Sequence, residues 1–351
     1  MRAREALFGT IAIVMLVAYG VLGGRVVAPL LPGGTLSPTP AKPSAPVEAP
    51  RVAGTIAFSL RGDIYLLREG RYANVTSEGR NLSPSLSPDG RTLLFSRRET
   101  IEGRRTVDGQ TTPALLGYTD IVQKAASGGA ETILVTGLRT RSASGFHVVA
   151  WQDSPAISAD GTRFAVVVDD GDGSSDLEIY DAKSTAARPL RTAVLSVDSD
   201  LADPSWSPDG RTLVVTSYTL GVPRLLLVPS DGRSATPLKI DAEGEPYRAS
   251  YSPDGKWLVY TLRGASGGND VHAVDVATGR DVALTTDGKS WNGVMSFDGS
   301  AVAFLRETGG VIDVYAMELA GVLDGGGAPK TPVKLTRGEG IDGQSRIAWG
   351  R

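Results

Sequence analysis

The chain of 351 residues is 41% hydrophobic and carries a formal net charge of −3. Such a composition can bury a core, and it lacks the basic excess of proteins that bind DNA or RNA, so we exclude nucleic acid as a partner. Because the sequence contains no Cys, a disulfide, a thiol nucleophile, a cysteine zinc site and a lipid-modified N-terminal cysteine are also excluded.

The N-terminal segment is apolar. Arg2 and Arg4 precede the uncharged residues 6–24, which at about 1.5 Å per residue are nearly long enough to cross a bilayer as a helix. The length and flanks favour an uncleaved, single-pass membrane anchor. The short basic start and the small residues at 20–24 leave a cleaved signal peptide open. We assign residues 1–30 to this anchor or signal sequence, and expect the rest of the chain to lie outside the cytoplasm, secreted or periplasmic if cleavage occurs.

Residues 31–51 are rich in proline, alanine and serine. Such a stretch cannot bury enough apolar surface to fold, and it prefers extended polyproline geometry. We predict a stalk that holds the following domain away from the membrane.

One short turn pattern recurs five times in the remaining residues 52–351. Each copy reads Ser, then Pro, Ala or Phe, then Asp and Gly, with a strand-like apolar run on both sides. The Asp can bond its own backbone and the Gly can adopt the left-handed conformation, as a tight hairpin requires. The copies occupy residues 87–90, 158–161, 207–210, 252–255 and 296–299.

The runs between the turns predict blades of four strands. A third strand often begins with Asp, as at Asp63, Asp176, Asp270 and Asp313, and a fourth often ends with an apolar residue and Thr. The last three intervals between turns suit a blade of roughly 40 to 50 residues, and the longer first interval implies an insertion. Four antiparallel strands per repeat predict an all-β propeller.

A sixth blade is predicted from both ends of this region. Residues 346–351 match a first strand, and residues 54–59, 63–67 and 72–76 read as the second, third and fourth strands. Their pairing would close the ring without an open sheet edge. The sequence therefore predicts a six-bladed β-propeller over residues 52–351, closed by pairing of N- and C-terminal strands.

These turns, together with third strands that read Asp, apolar, Tyr, resemble the WD40-like (PD40) repeats of TolB-type six-bladed propellers. Similar repeats build the non-catalytic propellers of prolyl-oligopeptidase-like enzymes. The resemblance extends over about residues 52–351 and implies the propeller fold. TolB proteins carry an α/β domain before the propeller, whereas here only the stalk fits that place.

The sequence contains no catalytic constellation. Its two histidines, His147 and His272, are too few for a histidine metal cluster, and no Gly-x-Ser-x-Gly nucleophile elbow is present. Each repeated turn Asp is explained by its turn. We therefore predict a protein that is not an enzyme and needs no cofactor, with a carboxylate-based glycan-cleaving enzyme as an alternative.

One acidic segment has the spacing of a weak calcium candidate. Asp170, Asp172, Ser174 and Asp176 place oxygen atoms at every second residue, as calcium loops do. The segment lacks the glycine and the terminal glutamate of an EF-hand loop. Because Asp176 also recurs at the start of other third strands, a solvated acidic hairpin with a backbone-capping Asp is favoured over calcium.

Two insertions lie on one face of the second blade from the N-terminus, at residues 100–118 and 138–153. This sector carries Arg139, Arg141, Phe146 and Trp151, and arginine and aromatic residues are enriched where proteins meet. We predict that these four residues bind an envelope protein or peptide and that the chain is a membrane-tethered scaffold. The alternatives are loose loops with Trp151 against the blade edge, and a receptor that binds a small molecule or glycan in the central channel.

Overall fold

Six antiparallel sheets of four strands surround a central channel. The structure is a computed structural model, and it describes residues 52–141, 146–171, 175–182, 190–195, 199–338 and 340–351. Each sheet is one blade, and the innermost strands of successive blades contact one another. The predicted all-β, six-bladed propeller is therefore confirmed.

The blades follow the chain in order, and each is numbered from the N-terminus. From the channel outward, the strands of blade 1 are β26 (Ala348–Gly350), β1 (Thr55–Leu60), β2 (Asp63–Arg68) and β3 (Arg71–Asn74), and those of blade 2 are β4 (Asn81–Leu86), β5 (Thr92–Val107), β6 (Gln110–Ala125) and β7 (Glu131–Val135). Blade 3 contains β10 (Trp151–Ile157), β11 (Arg163–Asp169), β12 (Ser175–Asp181) and β13 (Leu190–Leu195), and blade 4 contains β14 (Asp200–Trp206), β15 (Thr212–Thr219), β16 (Val222–Pro229) and β17 (Thr236–Pro237). Blade 5 contains β18 (Glu245–Tyr251), β19 (Trp257–Arg263), β20 (Asn269–Asp275) and β21 (Asp281–Ala283), and blade 6 contains β22 (Ser290–Met295), β23 (Ala301–Thr308), β24 (Val311–Glu318) and β25 (Val333–Lys334). A separate two-stranded sheet pairs β8 (Leu138–Arg141) with β9 (Phe146–Val149).

The five repeated turns connect the first and second strands of blades 2 to 6. In the first copy, Ser87 Oγ donates to Asp89 Oδ1 at 2.5 Å, and the N–H groups of Arg91 and Thr92 donate to Asp89 Oδ1 and Ser87 Oγ at 3.1 and 2.9 Å. Gly90 has a φ of 68°, in the left-handed region that favours glycine. The same bonds recur in the other four turns. The turns thus form from their own short sequences.

A β-bulge bends the first strand of blades 2 to 6 at the same place. The register shifts there in all five strands, and one non-glycine residue in each has a φ between 51° and 60°. A bulge re-aims the side chains around it, and these equivalent positions surround the channel. They are occupied by Ser83, Ser154, Asp203, Arg248 and Asn292.

The hydrophobic core lies between neighbouring blades. Six apolar clusters each join the facing sides of two adjacent sheets. Phe58, Phe95, Tyr260 and Phe304 occupy the same position of their second strands and are fully buried. Each such side chain stabilises the fold by roughly 2 to 3 kcal/mol through burial. The ring is therefore held by six similar interfaces.

The ring closes by pairing strands from the two ends of the propeller region. β26 and β1 are antiparallel, with Thr55 opposite Gly350 and Ala57 opposite Ala348. Trp349 Nε1 donates to the carbonyl oxygen of Ala53 at 2.8 Å. The predicted closing blade is therefore confirmed.

A repeated carboxylate holds the links between blades. Asp63 at the start of a third strand accepts hydrogen bonds from Thr76 Oγ1 at 3.0 Å and from the N–H of Gly79 at 3.1 Å. Asp270 and Asp313 accept the corresponding bonds in blades 5 and 6. These contacts explain why an apolar residue and Thr end the fourth strand, and they give the third-strand Asp a capping role.

Residues 1–51, which include the predicted anchor or signal sequence and the stalk, lie outside the described residues. Within the part that is described, no helix combines the length and hydropathy of a membrane span. The assignments of residues 1–30 and 31–51 remain predictions.

Candidate binding surface

The first insertion is a regular β-ribbon. β5 and β6 pair without interruption from Thr92 opposite Ala125 to Val107 opposite Gln110. Residues 99–118, here called the β5–β6 ribbon, therefore extend two strands of blade 2 beyond the neighbouring β4 and β7. The turn residues Asp108 and Gly109 have φ values of 50° and 77°, as the commonest two-residue hairpin turn requires. The segment predicted only as an insertion is thus an extension of the blade.

One face of the ribbon carries an exposed apolar patch. Pro113, Leu115 and Gly117 share a face because alternate residues of a strand point the same way. The indole of Trp151 covers Gly117, since a Cβ on that glycine would lie 2.9 Å from Trp151 Cζ2. Leu115 is 68% exposed and Trp151 is 47% exposed. We call Pro113, Leu115 and Trp151 the ribbon patch.

The second insertion forms the β8–β9 hairpin beside the ribbon. The N–H of Ala150 donates to the carbonyl oxygen of Gly137 at 2.8 Å, and the N–H of Thr119 donates to that of Ala150 at 3.2 Å. The buried carboxylate of Asp120 accepts from the N–H of Gly137 at 3.1 Å. These bonds join the hairpin base to β6, and they place both insertions on the same side of blade 2 as the sequence predicted.

Arg139 of this hairpin is paired within the chain. Its Nη1 and Nη2 atoms donate to Glu178 Oε1 and Oε2 at 3.1 and 2.8 Å. Glu178, on β12, is nearly inaccessible, with a side-chain exposure of 3%. The same carboxylate accepts from Tyr180 Oη at 2.5 Å and from Arg191 Nη1 at 2.6 Å. Arg139 therefore fastens the β8–β9 hairpin to blade 3.

Charge and burial act in opposite directions on this cluster. Burial favours the neutral form of Glu178, but the hydrogen bonds from Arg139, Tyr180 and Arg191 outweigh it and lower the pKa of the carboxyl group. Burial, reinforced by the charge of Glu178, raises the pKa of the Tyr180 hydroxyl. The carboxylate is therefore ionised and the phenol neutral near neutral pH.

The other predicted contact residues lie near the same place. Arg141 and Phe146 are the last pair described in the β8–β9 hairpin, and their side chains lie outside the description. Trp151 begins β10, directly after the hairpin. The structure thus brings Trp151 to the ribbon, with its ring against the blade extension, and leaves close to half of that residue exposed.

A guanidinium crosses the central channel. Arg346, just before β26 in blade 1, donates from Nη1 to the carbonyl oxygen of Pro204 in blade 4 at 2.7 Å. Its Nε lies 3.9 Å from Asp203 Oδ1, and Arg248 Nε lies 3.5 Å from Asp203 Oδ2. Blades 1 and 4 are opposite in a ring of six, so this side chain spans the channel at the level of the bulges. Burial lowers the pKa of Arg346, partly opposed by Asp203.

Only two of the four residues of the calcium candidate are among the described residues. Asp170 follows β11 and Asp176 lies on β12, whereas Asp172 and Ser174 lie outside the described residues. Asp176 holds the place that the capping carboxylates occupy in blades 1, 5 and 6. Among the residues whose positions are described, no group of three or more acidic or histidine side chains could hold a metal ion.

His272 has a structural environment. Its Nδ1 lies 2.8 Å from Asp281 Oδ2, and Tyr260 Oη donates to the other oxygen of that carboxylate at 2.6 Å. Burial, followed by the contact with Asp281, raises the pKa of Tyr260. The three side chains connect strands of blade 5 to one another. The second histidine, His147, lies on β9, and its side chain is outside the description.

Sequence reasoning missed two parts of this surface. Asp108 and Gly109 form a dipeptide that is itself a strong hairpin signal, and it would have identified the ribbon and thereby Leu115. The pairing of Arg346 with blade 4 joins residues 142 positions apart, and no local pattern indicates it.

Comparisons with known proteins agree with the fold. Residues 116–325 match the family described as TolB beta propeller domain. The Tol-Pal system protein TolB of Anaeromyxobacter dehalogenans (strain 2CP-C) is 38% identical over 69 residues, which are 20% of this chain and only 15% of that protein. The matched stretch is therefore a small part of that relative.

Two solved structures are similar over most of the chain. TolB from Acinetobacter baumannii aligns with a TM-score of 0.60 and 19% identity, over 85% of this chain and 67% of that one. The putative TolB from Agrobacterium tumefaciens aligns with a TM-score of 0.54 and 19% identity, over 81% of this chain and 88% of that one. At these identities the likeness shows a common propeller fold alone.

Proposed function

Because this chain belongs to the family of TolB β-propeller domains, we propose that it is a non-enzymatic protein-binding module of the cell envelope. The observation that carries the proposal is the ribbon patch, where Leu115 and Trp151 are 68% and 47% exposed on a regular sheet. Neighbouring exposed apolar side chains on a folded surface are typical of an interaction site. The partner is an envelope protein or peptide that buries apolar side chains against this patch.

The patch has the composition of a binding centre. Trp151 offers a large ring that is already held against Gly117, so little side-chain entropy is lost when a partner covers it. Glu102 and Arg104 lie on the same face of the ribbon and are exposed. An aromatic anchor with a charged rim is the usual arrangement of an interface hot spot.

The hairpin residues have two different roles in this proposal. Arg141 and Phe146 pair at the described end of the β8–β9 hairpin, and we propose that they add to the contacts with the partner. Arg139 acts indirectly, because both of its hydrogen bonds to Glu178 hold the hairpin in place. We propose that a partner contacts Trp151 and Leu115, together with Arg141 and Phe146, rather than the Arg139 guanidinium.

We further propose that residues 1–30 tether the propeller to the membrane and that residues 31–51 form the stalk. The apolar stretch at residues 6–24 and the proline-rich composition that follows support this arrangement. The name of the curated relative, a Tol-Pal system protein, supports an envelope location. A tether of this kind would keep the ribbon patch close to envelope partners.

The channel is less suited to be the primary site. Arg346 crosses it to Pro204, and Asp203 lies between two guanidinium groups. Asp203 is buried, and its Oδ1 also accepts a hydrogen bond from Ser154 Oγ at 3.3 Å, so the carboxylate is engaged by groups of the chain itself. These contacts support a binding function over a glycan-cleaving one. A channel ligand would have to bind above or below the Arg346 side chain that reaches Pro204.

The test is affinity capture of the tagged full chain from its own membranes after cross-linking. The variant combines Leu115→Ser and Trp151→Ala, which removes the ribbon patch. The matched control is Leu220→Ser, because Leu220 is 98% exposed at the turn between β15 and β16 in blade 4. The expected result is one envelope protein that is captured by the wild type and by the control, and lost from the double variant.

The captured protein is then purified and its affinity for each form measured directly. We expect the double variant to weaken binding by about 100-fold, since two anchor residues each contribute roughly tenfold or more. Equal affinity for all three forms would refute the ribbon patch as the binding site. Unchanged thermal unfolding of the double variant excludes loss of the fold as the cause.

A further inference from the structure

The β5 side of the ribbon is an open sheet edge. The last bond between β4 and β5 joins the N–H of Arg98 to the carbonyl oxygen of Arg80 at 2.9 Å. Backbone groups of alternate residues point to the same side of a strand, so Thr100, Glu102 and Arg104 direct theirs to this edge. In the described chain, no strand pairs with β5 on that side beyond Arg98.

The opposite edge of the ribbon is protected. Pro113 of β6 has no N–H to donate to a further strand, and the indole of Trp151 packs against Gly117, further along the same strand. Proline is one of the devices by which proteins prevent pairing at sheet edges. The β5 edge lacks proline from residue 99 to residue 107, and it is therefore the edge that can accept a strand.

We infer that this edge pairs with the same edge of a second copy of the chain. Two identical strands related by a two-fold axis run antiparallel, and the surface is self-complementary. The result is a continuous four-stranded sheet in the order β6, β5, β5, β6. This inference concerns the backbone edge of β5, whereas the ribbon patch lies on β6 and β10. Glu102 and Arg104 border both, so self-association is measured by sedimentation of the chain alone, in the absence of the envelope partner.

The charges along β5 select one register. A two-fold axis at residue 102 would set Glu102 against its own copy, and an axis at 104 would do the same to Arg104. An axis at residue 101 would set Arg98 against Arg104. An axis at Gly103 instead sets Glu102 opposite Arg104 twice, and opposite charges at facing positions stabilise strand pairing whereas like charges oppose it.

Other features agree with an axis at Gly103. Glu102 and Arg104 are both exposed, so both side chains are accessible to a second copy. The register pairs residues 99 to 107 of the two copies and stops short of Arg98, whose N–H already donates to the carbonyl oxygen of Arg80. Gly103 lies at a non-hydrogen-bonded pair, where facing Cα atoms are only about 4.5 Å apart. The absence of a side chain there eases the approach.

The natural absence of cysteine permits a specific cross-linking test. Gly103→Cys places one thiol on the axis, within the Cα separation of roughly 4.4 to 6.8 Å that a disulfide spans. The added Cβ meets the movable side-chain end of Leu116. The matched control is Leu220→Cys, which is more exposed but distant in the chain. Mild oxidation of the full chain in its membranes should yield a covalent dimer of the first variant and not of the second.

Charge exchange tests the register. Added to Gly103→Cys, either Glu102→Arg or Arg104→Glu should reduce dimer yield, because like charges then face each other at two places. The combination of Glu102→Arg with Arg104→Glu should restore it. For the chain without cysteine, sedimentation equilibrium in density-matched detergent should show the same order, with association weakened by about tenfold or more in each single variant.

Two results would overturn the inference. One is a wild-type chain that stays monomeric by sedimentation at all concentrations tested. The other is a dimer whose yield and association constant are the same in the single and the double charge variants. Loss of the β-sheet circular dichroism signal in Gly103→Cys would leave the sedimentation series, which needs no cysteine, to decide between these outcomes.

Discussion

Replacement of Arg139 by alanine tests whether this residue belongs to the fold. The change removes two hydrogen bonds to Glu178, at 3.1 and 2.8 Å. Hydrogen bonds to a charged group contribute about 1.5 to 3 kcal/mol each, but Arg191 and Tyr180 still bind the carboxylate. We therefore expect the free energy of unfolding to fall by about 2 to 3 kcal/mol, and the midpoint of thermal unfolding to fall by roughly 5 °C.

Urea unfolding followed by circular dichroism measures this difference. Arg105→Ala is the matched control, because Arg105 is an exposed arginine on the neighbouring ribbon, and its replacement should change the unfolding free energy by less than about 0.5 kcal/mol. Arg139→Lys should have an intermediate effect, since one ammonium cannot reproduce the paired bonds of a guanidinium.

The pH dependence of the same difference identifies Glu178 as the partner. Its pKa is lowered in the folded chain, so the stabilisation by Arg139 is complete above the unfolded value near 4.5 and is lost as the pH falls through the lower, folded value. The unfolding curves of wild type and Arg139→Ala should converge there. Equal stability of the two at pH 7 would refute the structural role assigned to Arg139.

Three further predictions concern the repeated carboxylates. Asp313 is fully buried and accepts hydrogen bonds from Thr336 Oγ1 at 2.8 Å and from the N–H of Gly338 at 2.5 Å, so Asp313→Ala should lower the free energy of unfolding by about 3 kcal/mol in urea. The turn hydrogen bonds lower the pKa of Asp160 to about 2, and an NMR titration of this carboxyl group should find that midpoint. The contribution of the ionised Asp160 to the free energy of unfolding should be complete above pH 3.8 and should be lost as the pH falls toward 2. Millimolar calcium should leave the thermal unfolding midpoint unchanged if Asp176 caps backbone, whereas a calcium-dependent increase that Asp176→Ala abolishes would favour a metal site.

The repeated turns and the closing blade were predictable because their determinants are local. The side-chain hydrogen bonds of the turn at Ser87 lie between residues at most five positions apart, and the same residues recur in five places. The pairing of β26 with β1 joins distant residues, but it follows from counting strands, since an incomplete repeat at each end leaves two edges that complete one sheet. The capping role of Asp63 followed from recurrence alone.

The surface could be predicted only in part. The sequence directed attention to the sector that contains the ribbon patch, and Trp151 lies there with about half of its surface exposed. It could not show that Arg139 is paired, because Glu178 lies 39 positions away on another blade. The Asp108-Gly109 turn could have pointed to Leu115, but the exposure of that side chain depends on the ribbon continuing beyond its neighbouring strands.

By itself, the sequence determined the repeat, its turns, the number of blades and their strand order, because these depend on short segments whose backbone preferences and hydrogen bonds lie within the segment. Only the tertiary structure decided which charged groups meet. Arg346 reaches Pro204 across the channel, and Arg139 reaches Glu178 between blades. The positions of such side chains follow from the packing of six sheets into a ring, and ionic contacts depend on distances that no single repeat contains.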